Sequence, residues 1–303
     1  MRPERLISPL SSGAIGSIYR GTSPAEERDI VSLNIAFIGF GEVGQLFARQ
    51  LKQRSGVGIA VYDLKFDDSE LGPRLMGLAE AIGARPASSS GDACRGADIV
   101  ISAVTADQAE AAAIAAAPHL RPGQIYVDLN SVSPTTKRRV AAAVGPSDAH
   151  FVEFAVMSPV EGLGIASPIL AGGVKADVLA ERLNALGMKI TPVSPEIGVA
   201  SATKLCRSII IKGMEALMVD LGLAGEKAGV LPAVLASLTA SYPGMDWAEL
   251  VWVMPTRVTR HGIRRAAEMR EAARMLAEME FSGALCEAIA ERHESFARAA
   301  AGQ

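Results

Sequence analysis

Residues 35–44 read IAFIGFGEVG, an apolar run that ends in Gly39-x-Gly41-x-x-Gly44. A helix-like stretch follows, and the next apolar run closes on an acidic residue, Asp63. In such a pattern the first glycine permits a tight turn and the second lets backbone approach a diphosphate. The third lets a helix pack close to its strand. Free N–H groups at that helix start, with the helix dipole, favour phosphate. Asp63 falls about 20 residues beyond the glycines, where a carboxylate accepts bonds from the ribose hydroxyls of NAD. Strand, helix, second strand and acid in register make dinucleotide binding the expectation. Gly39, Phe40, Gly41, Glu42, Val43, Gly44 and Asp63 are the cofactor-binding candidates, and Val104, just past the run at 99–103, is counted with them. A carboxylate at Asp63 repels the 2′-phosphate of NADP, so NAD is expected, while Lys65 two residues on leaves room for NADP.

From Leu33 onward, apolar strand-like runs alternate with amphipathic or Ala-rich segments. Strands are predicted at 33–38, 59–62, 99–103, 125–129 and 151–156, and helices at 43–53, 71–82, 106–117 and 134–144. Ser133-Pro134 puts a capping residue before proline at the first helical position, which fixes the start of the last helix. This alternation predicts an α/β Rossmann-type, doubly wound parallel sheet. Residues 169–170 and 189–193 add strands at the far edge, with a helix over 176–186 between them. After Pro195 only long helical stretches are predicted: 197–228, 256–279 and 283–300. The expected division is an N-terminal extension over 1–32, a dinucleotide-binding domain over 33–195, and an all-α substrate and dimerisation domain over 196–303.

Composition narrows the class. Apolar residues make up 49% and charged residues 21% of 303 residues, an ordinary globular balance. A net charge of −3 gives no sign of a nucleic-acid partner. Cys94, Cys206 and Cys286 are odd in number and form no CxxC pair, which argues against a disulfide framework and fits a reducing cytoplasm. His119, His150, His261 and His293 make no i,i+4 ligand pair, so no metal site is expected. No stretch reaches the roughly 18 uncharged apolar residues of a membrane span. The polar, Ser/Gly/Pro-rich first 32 residues lack the apolar core of a secretory signal.

The order of nucleotide domain, long helix and helical domain resembles the β-hydroxyacid dehydrogenase superfamily, which includes 3-hydroxyisobutyrate and 6-phosphogluconate dehydrogenases. The resemblance runs from Leu33 to the C-terminus. Beyond the glycine fingerprint, Val127-Asp128-Leu129-Asn130-Ser131-Val132-Ser133-Pro134 resembles the D-x-[SN]-[ST]-x-x-P segment that flanks nicotinamide and substrate. Residues 153–160 and 162–173 resemble the family's substrate loop and the glycine-rich segment after it. Gly198 to Lys204 resembles the stretch that carries the catalytic lysine. Two departures mark a divergent branch. The S-G-G of the substrate loop appears as Met157-Ser158-Pro159, and Pro159 removes a backbone donor. Arg207 and Ser208 stand where the family has paired asparagines, and the C-terminal region looks phosphogluconate-dehydrogenase-like.

The resemblance implies an NAD(P)-dependent oxidoreductase acting on a small, carboxylate-bearing 3-hydroxyacid. The cofactor takes the hydride, so the protein supplies orientation and one acid/base group. Lys204 is that candidate; on residue type alone it is a solvated helix lysine. Asn130, Ser131, Ser158 and Ser208 are the substrate-binding candidates, against structural roles in turns and helix packing. Asn130 and Ser131 follow a predicted strand's C-terminal end, where open α/β sheets place ligands. Lys212 is expected to be solvent-exposed, Glu215 to lie too far along the helix to exchange a proton with Lys204, and Arg207 to form a salt bridge. Of Arg257, Arg260, His261, Arg264 and Arg265, one or two are candidates to bind a carboxylate while most are expected on a solvated face, and the methionines from Met245 to Met279 are expected in helix packing. The helical domain of relatives implies a homodimer. Two alternatives stay open: an imine reductase of related architecture, and a dinucleotide-binding protein without catalysis.

Overall fold

The computed structural model describes residues 32–302. The expectation for the first 32 residues falls almost wholly outside them. Strands β1 (Leu33–Ile38) and β2 (Val57–Tyr62) are joined by α1 (Glu42–Lys52). Then come α2 (Leu71–Ala81), β3 (Arg85–Pro86), α3 (Ser90–Cys94) and β4 (Ile99–Ser102). Next in order are α4 (Ala109–Ala116), β5 (Ile125–Asp128), α5 (Pro134–Val144), β6 (His150–Val156), β7 (Pro168–Gly172), α6 (Ala176–Asn184) and β8 (Lys189–Ser194). Four helices complete the chain: α7 (Val199–Ala228), α8 (Leu231–Ser241), α9 (Trp247–Glu278) and α10 (Ala284–Ala301).

The eight strands form one sheet in the order β3-β2-β1-β4-β5-β6-β7-β8. Strand order reverses between β1 and β4, the place where open α/β sheets bind ligands beyond their strand ends. Strands β1 to β6 are parallel, as the βαβ alternation predicts. The far edge departs from the all-parallel expectation: β7 runs antiparallel to β6, and β8 follows β7. A connection without a crossover helix, 157–167, permits that reversal, because only parallel neighbours need a long crossover.

Successive residues along a strand face opposite sides, and both sides are covered. Ile35, Phe37, Ile99, Ile101 and Val127 join Phe47, Leu51 and Leu179 in one core. Ala36, Ile38, Val100 and Tyr126 join Ala93, Ala113 and Val140 in the other. Such double burial is what makes parallel strands read as continuous apolar runs.

The helical region has its own core, in which Leu205 and Ala216 of α7 meet Ala266, Met269, Ala272 and Met275 of α9 and Ile289 of α10. The methionines Met254, Met269 and Met275 are buried, as packing residues should be, whereas Met279 at the end of α9 is exposed and does not pack as expected. The predicted start of α9 near Thr256 needs correction. The helix begins nine residues earlier, at Trp247, where the side chain of the capping Asp246 accepts from the Glu249 N–H, and it runs on through Pro255. None of the described helices is long and apolar enough to cross a membrane.

Candidate active site

The glycine turn joins β1 to α1 at the switch point. Gly39 has φ +97°, and a Cβ there would lie 2.3 Å from the Ala103 carbonyl oxygen and 3.0 Å from Val104. That close approach of the turns after β1 and β4 excludes any side chain. At Gly41 a Cβ would meet no atom within 4 Å, and the residue is exposed. The space beside it is open, as a backbone that must admit a diphosphate requires. Gly41 caps α1 with no side-chain partner, so the first-turn N–H groups face outward as an anion site. Asp63 completes the arrangement. One carboxylate oxygen accepts from the Phe40 N–H at 2.7 Å and the other from the Lys65 N–H at 2.9 Å. The acid is thereby fixed against the glycine turn with lone pairs to spare. These residues fit a nicotinamide dinucleotide. Beyond them a cavity of about 270 Å³ lies over α1 and α2, lined by Gln45, Lys65 and Arg74 among others.

At the C-terminal end of β5, two buried polar groups hold the backbone. Lys137 of α5 sends its ammonium under the strand end, 2.9 Å from the Asp128 carboxylate and 2.8 Å from the Asp128 carbonyl. The Asn130 amide donates to the Ser102 hydroxyl at 3.1 Å and to the Asp128 carboxylate. Asn130 is therefore spent on shaping the turn, and Ser131, next along, is presented at its rim.

Helix α7 reaches this rim from the other side. Its first N–H groups are anchored by Glu153 of β6, whose carboxylate accepts from Gly198 at 2.6 Å and Ala200 at 3.1 Å. A carboxylate at a helix N-terminus is electrostatically favoured. In the second turn, the Lys204 ammonium donates to the Ser131 hydroxyl. The Lys204 side chain is 12% exposed and sits 3.3 Å from the carboxylate of Glu268 on α9. Burial lowers the proton affinity of Lys204; Glu268 opposes that and Lys212 adds to it. Burial also disfavours the Glu268 carboxylate, but the two ammonium groups outweigh it and hold the acid down at about 2.

Several expectations change here. Lys212 is not solvated: it is 7% exposed, 2.6 Å from Glu268, and donates to Ser208 at 3.0 Å. Ser208 thus serves Lys212 rather than Lys204. Arg265 is the member of the cationic cluster that takes a carboxylate, gripping the buried Glu215 with contacts of 2.8 and 2.9 Å, and its partner lies within the protein. That pairing accounts for Glu215, which the sequence had already kept away from Lys204. Arg207 finds the Met157 carbonyl at 3.3 Å instead of a carboxylate. The Ser158 hydroxyl donates to the adjacent Pro159 carbonyl at 3.3 Å, a local turn contact. Glu268, Lys137 and Glu153 were not singled out from the sequence. Glu268 had one legible signal: it neighbours the buried Met269 and stands three residues after Arg265.

Fold and site together define a nicotinamide-dinucleotide-binding protein with the architecture of the 3-hydroxyacid dehydrogenases. Residues 34–193 match the model for the NAD binding domain of 6-phosphogluconate dehydrogenase, and the chain belongs to that family. Residues 226–296 match a domain of unknown function, DUF1932. The chain is 26% identical over 269 residues to 3-hydroxyisobutyrate dehydrogenase of Pseudomonas aeruginosa, covering 78% of this chain and 80% of that protein. To the NAD-dependent L-serine dehydrogenase of the same organism it is 27% identical over 221 residues, 71% of each chain. A solved structure of a conserved hypothetical protein from Sinorhizobium meliloti shares 38% identity and superposes with a TM-score of 0.76, covering 87% of this chain and 88% of that one.

Proposed function

We propose that the protein is an NAD-dependent oxidoreductase of a small 3-hydroxyacid, with Lys204 as its general acid/base. The observation that carries this reading is the contact of the largely buried Lys204 ammonium with Ser131 at the C-terminal end of β5, two strands from the glycine turn. Bound nicotinamide supplies the hydride acceptor at the substrate carbon. Lys204, as free amine, takes the hydroxyl proton as the carbon–oxygen double bond forms, and returns it in the reductive direction. Ser131 orients that amine and stands where the substrate oxygen enters. Burial makes the ammonium a stronger acid than an exposed lysine, which eases return of its proton.

The exposed Arg207, Arg260 and Arg264 on α7 and α9 favour an anionic substrate, in line with a carboxylate. Exposed Ile210 and Leu217 on α7, with Trp252 on α9, support a homodimer. Light scattering should then return twice the chain mass of 31.6 kDa.

The test is NADH formation, followed by absorbance, with NAD and a panel of 3-hydroxyacids that includes β-hydroxy amino acids. Turnover of any member supports the reading; tight NAD binding with silence across the panel overturns it.

A further inference from the structure

We propose that Glu268 is a positioning residue for Lys204: clamped by Lys212, which Ser208 holds in turn, it aims the Lys204 amine at Ser131 and sets the pH at which that amine loses its proton. The inference rests on the acid/base role given to Lys204 above.

Lys204 and Lys212 stand eight residues apart on α7, about 12 Å along an ideal helix axis, yet both side chains converge on one carboxylate. The two contacts are unequal. Lys212 lies 2.6 Å from one Glu268 oxygen, whereas Lys204 lies 3.3 Å from the other. Lys212 is also fixed by its 3.0 Å bond to Ser208. The tight half of the clamp is therefore Lys212, and Lys204 is the looser member, held in direction but free to exchange partners at Ser131. A reacting amine needs both properties.

The charges facing Lys204 are few. Lys212 comes from α7, Glu268 from α9 and Lys137 from α5, the last neutralised by Asp128 at 2.9 Å. The turn after β5 contributes the uncharged Ser131. Two ammonium groups thus share a single carboxylate in a largely dry space, where charge–charge terms are strong. Removing Glu268 leaves two facing cations, which favours loss of the Lys204 proton. Removing Lys212 leaves Glu268 to Lys204 alone, which favours keeping it. The signs are opposite, and a merely structural Glu268 would not produce them.

Competitive acetylation with acetic anhydride across pH, with the Lys204 peptide quantified by mass spectrometry, reads the titration without requiring turnover. In Glu268→Gln the midpoint for Lys204 should fall by about one pH unit, a tenfold change in neutral fraction at fixed pH. In Lys212→Met it should rise, and Glu268→Asp, which keeps the charge, should return it toward the parent value. The acidic limb of kcat/KM for oxidation should move the same way in each variant. Coincident midpoints in the parent, Glu268→Gln and Lys212→Met overturn the proposal; if Glu268→Gln does not fold, the Lys212→Met shift decides alone. Shifted midpoints in a protein inactive on every 3-hydroxyacid would instead locate the failure in the functional reading.

Discussion

Lys204 and Ser131, 73 residues apart in sequence, meet through a side-chain hydrogen bond at the end of β5. Each comes from a different part of the fold, and neither helix nor sheet alone supplies the pair. If Lys204 moves the substrate proton, Lys204→Met should lower kcat by roughly 10²–10⁴-fold, the usual worth of a positioned acid/base. NAD affinity, read by fluorescence titration, should stay near the parent value. Loss of both activity and NAD binding would instead indicate damage to the nucleotide site.

The glycines of the fingerprint should separate by assay. Gly39→Ala forces a Cβ against the Ala103 carbonyl at a positive φ, so thermal unfolding should fall by several degrees. In Gly41→Val the added Cβ meets no protein atom, so unfolding should shift less than in Gly39→Ala. It fills the space expected for the diphosphate, so NAD affinity should drop at least about tenfold, near 1.4 kcal/mol. Equal affinities in Gly41→Val and the parent would remove the diphosphate from this turn.

Cofactor choice turns on Asp63. Asp63→Asn keeps an oxygen for a main-chain N–H but removes the charge that repels a 2′-phosphate. The ratio of kcat/KM for NADP over NAD should rise in this variant. Adding Lys65→Ala and Arg74→Ala, which strip the cations from the adjoining cavity, should reverse the gain. An unchanged ratio in both would place discrimination elsewhere.

His293 predicts how stability responds to mild acid. Its Nε2 lies 3.0 Å from the Lys212 carbonyl, which can only accept, so Nε2 carries the proton and Nδ1 is bare. Burial comes first in lowering its proton affinity, although the Lys212 carbonyl opposes this; Arg265 and Lys212 lower it further. Below the ordinary value of 6.5 the unfolded chain takes up a proton that the folded one refuses. Stability should therefore fall as pH drops from about 6.5, and His293→Gln should flatten that slope in urea titrations. Glu268 acts lower down: its stabilisation is complete above 4.5 and is lost as pH falls toward about 2.

Much of the fold was legible because the sheet is buried on both faces. Its strands announce themselves as Val/Ile runs, and α5 was located to the residue by Ser133-Pro134. The start of α9 was missed because Pro255 reads as a break, although Asp246 and Glu249 carried a capping signal. Strand β3 has only two residues and leaves no periodicity to detect. In the candidate site, Lys204 and Ser131 could be picked out because each sits in a local motif. Glu268 could not. It lies among Arg264, Arg265, Arg270, Glu271 and Arg274, where a charged helix face looks solvated until its partners on α7 are known. Lys212 was misread for the same reason: burial of an ion depends on a counter-ion that arrives from elsewhere in the chain.

Helix α7 starts under Glu153 at the sheet, passes Ser131, and ends among α8 and α9 after 30 residues without interruption. It is a rod of about 45 Å. Many two-lobed enzymes open and shut on a few free torsions in a linker, but here the span from sheet to helical lobe is one continuous ladder of hydrogen bonds. Swinging the lobes apart at Lys204 would break that ladder in the stretch that carries the proton-transfer candidate. The 157–163 loop beside that stretch meets α7 through the bond between Arg207 and the Met157 carbonyl, and Glu161 lies 3.8 Å from His261 of α9. Sheet and helical bundle are thus braced by a single beam, and the Lys204–Ser131 pair sits where that beam crosses the strand ends.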